Sequence, residues 1–390
     1  MRVTHINKYY WPPHLGGVET QLHDLASGQA EREGLTVRAI VANESRETVR
    51  ETVDGVGVTR LARSLAYSST PIAPSMARAI RAESTLPDPA DILHLHFPYP
   101  WGEISWLRAQ PSLPTVLSFH SDIVRQKRLL SAYAPILRRV LDRVDLIVTS
   151  SPNMVEYSPF LSRIAEKCRI IPYGIHVERY ADSPQVLARA QALRAGHSRP
   201  VVLFVGRLVY YKGAEVLVRA MANVDADLVM VGRGPLEGEL REVAVAQRVA
   251  DRITWLPPLD DDDLVAWYHA ADVVVLPSVA RSEAFGLVQL EAHASGTPVV
   301  ATTLTTSVPY VNLDGVTGIN VPPDDADALS DALCRILDDG DLRARLGAQA
   351  RERALRDFTV ARMVDDVLAV YSEAMALHAE RVGTSSGGRS

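Results

Sequence analysis

One pattern constrains this chain more than any other: short runs of β-branched and apolar residues alternate with longer stretches of helical periodicity, and the whole series occurs twice. Such alternation is the signature of a doubly wound parallel sheet, because a parallel strand pair needs a crossover long enough to hold a helix. In the first half the spacing predicts strands near Arg2–Asn7, Thr36–Ala42, Ile92–His96, Thr115–Phe119 and Leu146–Thr149, with helices over Glu19–Glu33 and Leu129–Arg143. In the second half it predicts strands near Val201–Val205, Asp227–Val231, Ile253–Leu256, Val273–Pro277 and Val299–Thr302. The fold class is α/β, with two doubly wound parallel-sheet domains. At 390 residues the chain exceeds what one core usually holds.

The segment from Gly174 to Pro200 carries no clean strand, so the reading places the domain boundary near residue 190. This gives domains over 1–190 and 191–360, a helix over 361–380 and a disordered tail over 381–390. A composition of 47% hydrophobic and 23% charged residues is that of a globular protein. The formal charge of −6 is spread along the chain, which argues against a nucleic-acid binder. Cys168 and Cys334 stand far apart without metal-ligand spacing, so a disulfide framework or a cysteine zinc site has no support and a reducing, cytoplasmic location is expected. The polar turn at Met1-Arg2-Val3-Thr4-His5 breaks any signal-peptide pattern, and no run is long and apolar enough to span a membrane.

Ligands of open parallel sheets bind beyond the carboxyl ends of the strands, so residues just after each strand matter most. Gly16-Gly17-Val18-Glu19 opens a helix whose free amides could take a phosphate, or the glycines could serve a tight turn alone. Gly206-Arg207-Leu208 and then Lys212-Gly213 set two cations beyond a strand of the second half, suited to a diphosphate or simply solvated. Glu283 and Glu291 follow the strand that ends at Pro277-Ser278, with a helix start between them; a carboxylate there can take paired hydroxyls of a ribose or sugar. His94 and His96 alternate on one strand and share a face, and without a third ligand at suitable spacing they are read as hydrogen-bonded rather than metal-binding. His120 sits at a strand's carboxyl end and is the better functional histidine. Arg125-Gln126-Lys127-Arg128 with Arg138, Arg139 and Arg143 brackets an apolar stretch, a basic amphipathic pattern open to an anionic membrane surface or to solvent. Asp260–Asp263 reads as a helix cap.

In this order and spacing the chain resembles the retaining glycosyltransferases of family 4, whose two Rossmann-like domains form the GT-B arrangement. The resemblance rests on Pro12-Pro13-His14-Leu15-Gly16-Gly17-Val18-Glu19, Asp91–His96, Phe119-His120, Pro172-Tyr173-Gly174-Ile175, Gly206-Arg207-Leu208 with Lys212-Gly213, Gly232-Arg233-Gly234-Pro235, and Pro277-Ser278 followed by Glu283-Ala284-Phe285-Gly286 and Glu291-Ala292. It spans nearly the whole chain. It implies that Gly16 and Gly17 border the donor diphosphate, that Arg207 and Lys212 neutralise it, and that Glu283 faces the donor sugar. The amides of Phe285, Gly286 and Leu287 would hold sugar hydroxyls and phosphate, Glu291 the ribose, and His120 the sugar near its reacting carbon. The base would lie by Gly232 and the strand end at Leu256.

The resemblance further implies a last helix returning to the first domain, no cofactor, and no metal, the cations and helix amides taking its place. The chain departs from many members at His176, where Asp is common. The expected activity is transfer of mannose or glucose, with retention, from a nucleotide sugar to a glycan or lipid-linked acceptor in cell-surface polysaccharide or glycolipid synthesis. A sugar-nucleotide epimerase of the same architecture, or a non-catalytic GT-B-like binding subunit, is the alternative. A nicotinamide dehydrogenase is disfavoured, since neither half has G-x-G-x-x-G in its first strand–helix turn.

Overall fold

The computed structural model describes residues 1–12, 16–67, 70–123 and 127–386. It divides into two compact units, one formed by Met1–Gly174 with Val360–Ser390 and the other by Ile175–Thr359.

The first unit runs β1 (Arg2–Ile6), α1 (Gly17–Ala30), β2 (Thr36–Ala42), β3 (Val49–Val53), β4 (Val56–Leu61), β5 (Leu65–Tyr67), β6 (Thr70–Ile72), α2 (Met76–Ala82), β7 (Ile92–Phe97), α3 (Pro100–Ala109), β8 (Thr115–Phe119), α4 (Lys127–Arg143), β9 (Leu146–Thr149), α5 (Pro152–Tyr157) and β10 (Cys168–Ile170). Eight of these strands form one sheet in the order β10-β9-β8-β7-β1-β2-β4-β3, parallel except for β3, while β5 and β6 pair apart as a short hairpin. Strands buried on both faces carry apolar residues almost throughout. Period-two alternation then sorts them. Leu93, Leu95 and Phe97 of β7 pack with Trp106, Leu137 and Leu141 on the side of α3 and α4. Val3, Ile92 and Val116 face the opposite way, toward α1 and the chain's last helix.

The second unit runs α6 (Pro184–Arg194), β11 (Val201–Val205), α7 (Ala214–Ala220), β12 (Asp227–Val231), α8 (Glu237–Ala246), β13 (Ile253–Leu256), α9 (Asp261–Ala270), β14 (Val273–Leu276), α10 (Leu287–Ala294), β15 (Val299–Thr302), α11 (Val308–Val311), β16 (Gly318–Val321), α12 (Ala326–Asp338) and α13 (Gly340–Asp357). Its six parallel strands lie in the order β13-β12-β11-β14-β15-β16. The order reverses between β11 and β14, which is where a doubly wound sheet offers a ligand site at its carboxyl edge. At the start of α9 the Asp260 side chain accepts from the Asp263 amide at 2.9 Å, the cap read from the sequence.

The last helix, α14 (Val360–Ser386), belongs to the first unit. Val364, Val367, Tyr371 and Ala374 recur along it at helical spacing and close the face of β1, β7, β8 and β9. Arg32 to Asp365 at 2.6 Å and Arg381 to Asp145 at 2.7 Å fix its two ends.

Two expectations on organisation are corrected. The boundary falls at Gly174 rather than near residue 190, because the helical stretch after it is α6, which packs on α9 inside the second unit. The tail expected from residue 381 continues α14 to Ser386, since one further helical turn and a half costs little once the helix is anchored; 387–390 lie outside the described residues.

The α14 packing generates a contrast. Val367→Asp places a carboxylate where the side chain is 1% exposed and is expected to lower the thermal unfolding midpoint of the first unit by many degrees, whereas Leu377→Asp, 41% exposed on the same helix, is expected to leave it within about a degree or two. Differential scanning calorimetry of the two variants reads the difference.

Candidate active site

In the second unit the expected donor residues gather at one sheet edge. Lys212 follows β11, Gly232 follows β12, Leu256 ends β13, and Glu283, Phe285, Gly286 and Leu287 lie between β14 and α10. The turns touch one another. Gly206 N–H donates to the Val231 carbonyl at 2.9 Å, and Gly232 N–H to that of Leu256 at 3.0 Å. Gly213 has φ +66°, and a Cβ there would lie 1.9 Å from the Pro277 carbonyl oxygen. Only glycine lets the chain after β11 press this closely on the end of β14, and that approach brings Lys212 to Glu283.

The pair is tight: Lys212 Nζ lies 2.6 Å from Glu283 Oε2, with side chains 13% and 10% exposed. Ser278, fully buried after β14, donates its hydroxyl to the same Oε2 at 3.0 Å, and its own carbonyl accepts from Thr302 Oγ1 at 2.7 Å. Burial alone would lower the Lys212 pKa, but the Glu283 carboxylate outweighs it and holds the ammonium above its ordinary value. Arg207, by contrast, is exposed.

Gly286 caps α10 in the left-handed region, at φ +76° and ψ 67°. A side chain there would meet Leu276 and Gln289, at 2.4 and 2.8 Å from the Cβ position. The amides of Leu287 and Val288 then open the helix with no carbonyl one turn earlier to receive them, as an anion site requires. One helix turn on, Glu291 accepts from the Tyr268 hydroxyl in a short hydrogen bond. Desolvation by surrounding protein raises the Glu291 pKa, against lowering by the Tyr268 bond and by the Lys212 charge. The sequence reading did not single out Ser278 and Tyr268, whose hydroxyls bond Glu283 and Glu291; Ser278 was visible only as part of a motif.

In the first unit Gly16 precedes α1, and the Glu19 side chain folds back so that Oε2 is 2.4 Å from where a Gly16 Cβ would lie. Gly17 is the first residue of the helix. The loop before them is held by the buried Arg60 guanidinium, which donates to the carbonyls of Tyr10 at 2.8 Å and Trp11 at 3.1 Å. Pro13-His14-Leu15 of the motif lies outside the described residues, as do Arg125 and Gln126 of the basic stretch.

His120 directly follows β8 and is 4% exposed. Tyr173 OH lies 2.6 Å from its Nδ1 and His96 Nδ1 lies 3.0 Å from its Nε2, so both ring nitrogens are engaged within the protein. Burial lowers its pKa to about 4, and the ring is neutral. His94 and His96 do share a face. The third histidine not found by spacing is His5 of β1, paired in register with His94, and the ring nitrogens of the three lie within 4.8 Å of one another. Each is engaged in hydrogen bonds: His94 to Tyr371 and Ser118, His96 to His5 and His120.

The buried pair yields a double-mutant test. Lys212→Met leaves a carboxylate unpaired in a 10% exposed position and is expected to cost about 3–5 kcal/mol in chemical denaturation of the second unit; adding Glu283→Gln is expected to recover most of that loss.

Residues 188–353 match the family model described as Glycosyl transferases group 1, and residues 15–179 match Glycosyltransferase Family 4. The chain is 33% identical to O-antigen chain mannosyltransferase C of Escherichia coli, over 95% of this chain and 98% of that protein. It is 32% identical to D-rhamnosyltransferase WbpZ of Pseudomonas aeruginosa, over 92% of each. Among solved structures, sucrose-phosphate synthase from Thermosynechococcus elongatus superposes with a TM-score of 0.80 at 25% identity, covering 96% of this chain and 99% of that one. With these matches along nearly its whole length, and with two parallel-sheet units of the kind described above, the chain belongs to the GT-B glycosyltransferases of family 4.

Proposed function

We propose that this glycosyltransferase moves a manno-configured hexose, mannose foremost, from a GDP-linked donor to a glycan or lipid-linked acceptor in cell-surface polysaccharide synthesis, with retention at the anomeric carbon. The observation that carries the donor part is the sheet edge of the second unit. There an ammonium (Lys212) from the turn after β11 meets a carboxylate (Glu283), the open amides of α10 and a second carboxylate (Glu291) from the turn and helix after β14. The sugar preference is supported by the two relatives that match more than nine-tenths of the chain, one named a mannosyltransferase and the other a D-rhamnosyltransferase, D-rhamnose being 6-deoxymannose.

In this reading Lys212, Arg207 and the amides of Gly286 and Leu287 take up the diphosphate charge, the work a divalent ion does in other transferases. An ammonium has three donors, so Lys212 can serve phosphate oxygens while remaining beside Glu283. Glu291, aligned by Tyr268, accepts from the ribose hydroxyls. Leu256 and Gly232 border the base. Gly16, Gly17 and His120 are assigned to the diphosphate and the donor sugar, His120 as a neutral contact rather than a general base. The acceptor hydroxyl attacks the anomeric carbon on the face from which the diphosphate departs; the carbon–oxygen bond to phosphate breaks, and a phosphate oxygen takes the hydroxyl proton. Arg138 and Arg139 are exposed on α4 opposite buried Leu137, Val140 and Leu141, an arrangement that supports peripheral contact with an anionic membrane. Among the described residues no helix is long and apolar enough to cross one.

Thermal-shift titration tests the donor assignment. GDP or GDP-mannose at a hundred times its dissociation constant is expected to add about 2.7 kcal/mol of stability, with UDP, ADP and dTDP giving less at equal concentration. Glu291→Ala is expected to weaken GDP binding roughly tenfold to a hundredfold, the loss of one to two charge-assisted hydrogen bonds. Unchanged affinity in that variant removes Glu291 from the ribose.

A further inference from the structure

Period-two alternation places His5, His94, His96 and Ser118 on the face of the first sheet that α1 and α14 cover, where burial without partners would be costly. Each has partners, and the bonds form one chain. Tyr173 OH meets His120 Nδ1 at 2.6 Å, His120 Nε2 meets His96 Nδ1 at 3.0 Å, and His96 Nε2 meets His5 Nδ1 at 3.0 Å. His5 Nε2 meets Gln29 Oε1 at 2.9 Å, Gln29 Nε2 donates to Tyr371 OH at 3.2 Å, Tyr371 OH meets His94 Nδ1 at 2.6 Å, and His94 Nε2 meets Ser118 Oγ at 2.8 Å.

A neutral imidazole donates from one nitrogen and accepts on the other, so fixing one link fixes the next. The Gln29 amide fixes the chain. Its oxygen faces His5, so His5 donates from Nε2 and accepts on Nδ1. His96 must then donate from Nε2 and accept on Nδ1, and His120 must do the same, with the Tyr173 hydroxyl donating to it. On the other side Gln29 donates to Tyr371, which donates to His94, which donates to Ser118. All seven bonds run one way. On the His5 side, reversing any bond requires turning the amide and the His5, His96 and His120 tautomers together.

We propose that Gln29, acting through His5 and His96, is a positioning residue that sets the tautomer of His120. It holds the His120 Nε2–H inward and its Nδ1 as acceptor, and thereby makes α1 part of the donor-sugar alignment. The link to catalysis rests on the assignment of His120 to the donor sugar given above; the tautomer lock does not.

The test compares two substitutions at Gln29. Gln29→Glu in its ionised form keeps an acceptor oxygen facing His5, so His120 is expected to keep its wild-type ring ¹⁵N shifts, with a pyridine-like Nδ1 and a pyrrole-like Nε2. Gln29→Leu fills similar volume but removes the amide, and both His120 nitrogens are expected to move toward tautomeric averaging. A pure packing role favours leucine over glutamate, the opposite order. Tyr371→Phe, which removes a hydroxyl beyond the Gln29 amide and leaves the amide oxygen on His5, serves as the control and is expected to keep the wild-type His120 shifts. With GDP-mannose as donor, kcat in Gln29→Leu is expected to fall about tenfold while KM stays within twofold. Unchanged His120 resonances in Gln29→Leu overturn the lock. Shifted resonances with unchanged kcat leave the lock standing and overturn its part in transfer.

Discussion

In a parallel sheet all strands end on the same side, and their helices must begin there. Where the strand order reverses, the helices on either side depart toward opposite faces and leave a gap at the edge. In the second unit that gap lies between β11 and β14. The proposed placement of the diphosphate depends on how closely the chain turns there. The absent side chain at Gly213 lets the loop of Lys212 reach the end of β14, and the left-handed Gly286 starts α10 with its amides open. A larger residue at either place would separate the cation, the carboxylate and the amides that act together.

The first unit solves a different problem. Its sheet is covered on both faces, yet four polar side chains of β1, β7 and β8 point into one of those layers. They are accommodated because each finds a partner on a neighbouring strand or on α1 and α14. Bonds at the ring nitrogens offset the cost of burying these imidazoles, and His5, His94 and His96 are each bonded at both. This is why the last helix cannot be a mere cover: Tyr371 supplies a hydroxyl that the histidine face requires.

Much of this was legible in the sequence. The strands Thr36–Ala42, Thr115–Phe119, Leu146–Thr149 and all those of the second half except β16 stood out as apolar runs bounded by turn residues. The strands β3 to β6 did not: β5 and β6 have three residues each, β4 is interrupted by Gly57 and Arg60, and β3 is exposed at four of its five positions with no apolar face to reveal it. Glu283, Glu291, Lys212 and Gly286 were singled out because they lie in the turns and first helix beyond β11 and β14. His5 and Tyr268 were not, because their roles come from neighbours distant in sequence: His5 meets His94 only once β1 and β7 are known to pair, and Tyr268 meets Glu291 only once α9 lies beside α10. The domain boundary was displaced for a related reason: a surface helix such as α6 has little in its own sequence to show which core it joins.

The central claim is that a nucleoside diphosphate lies on the carboxyl edge of the second sheet, over Lys212 and the start of α10. A crystal structure of the protein with GDP tests it most directly. The expected result is phosphate oxygens within hydrogen-bond distance of Lys212 Nζ and the amides of Gly286 and Leu287, with ribose hydroxyls on the Glu291 carboxylate. GDP bound elsewhere, or bound here with its ribose turned away from Glu291, would contradict the account.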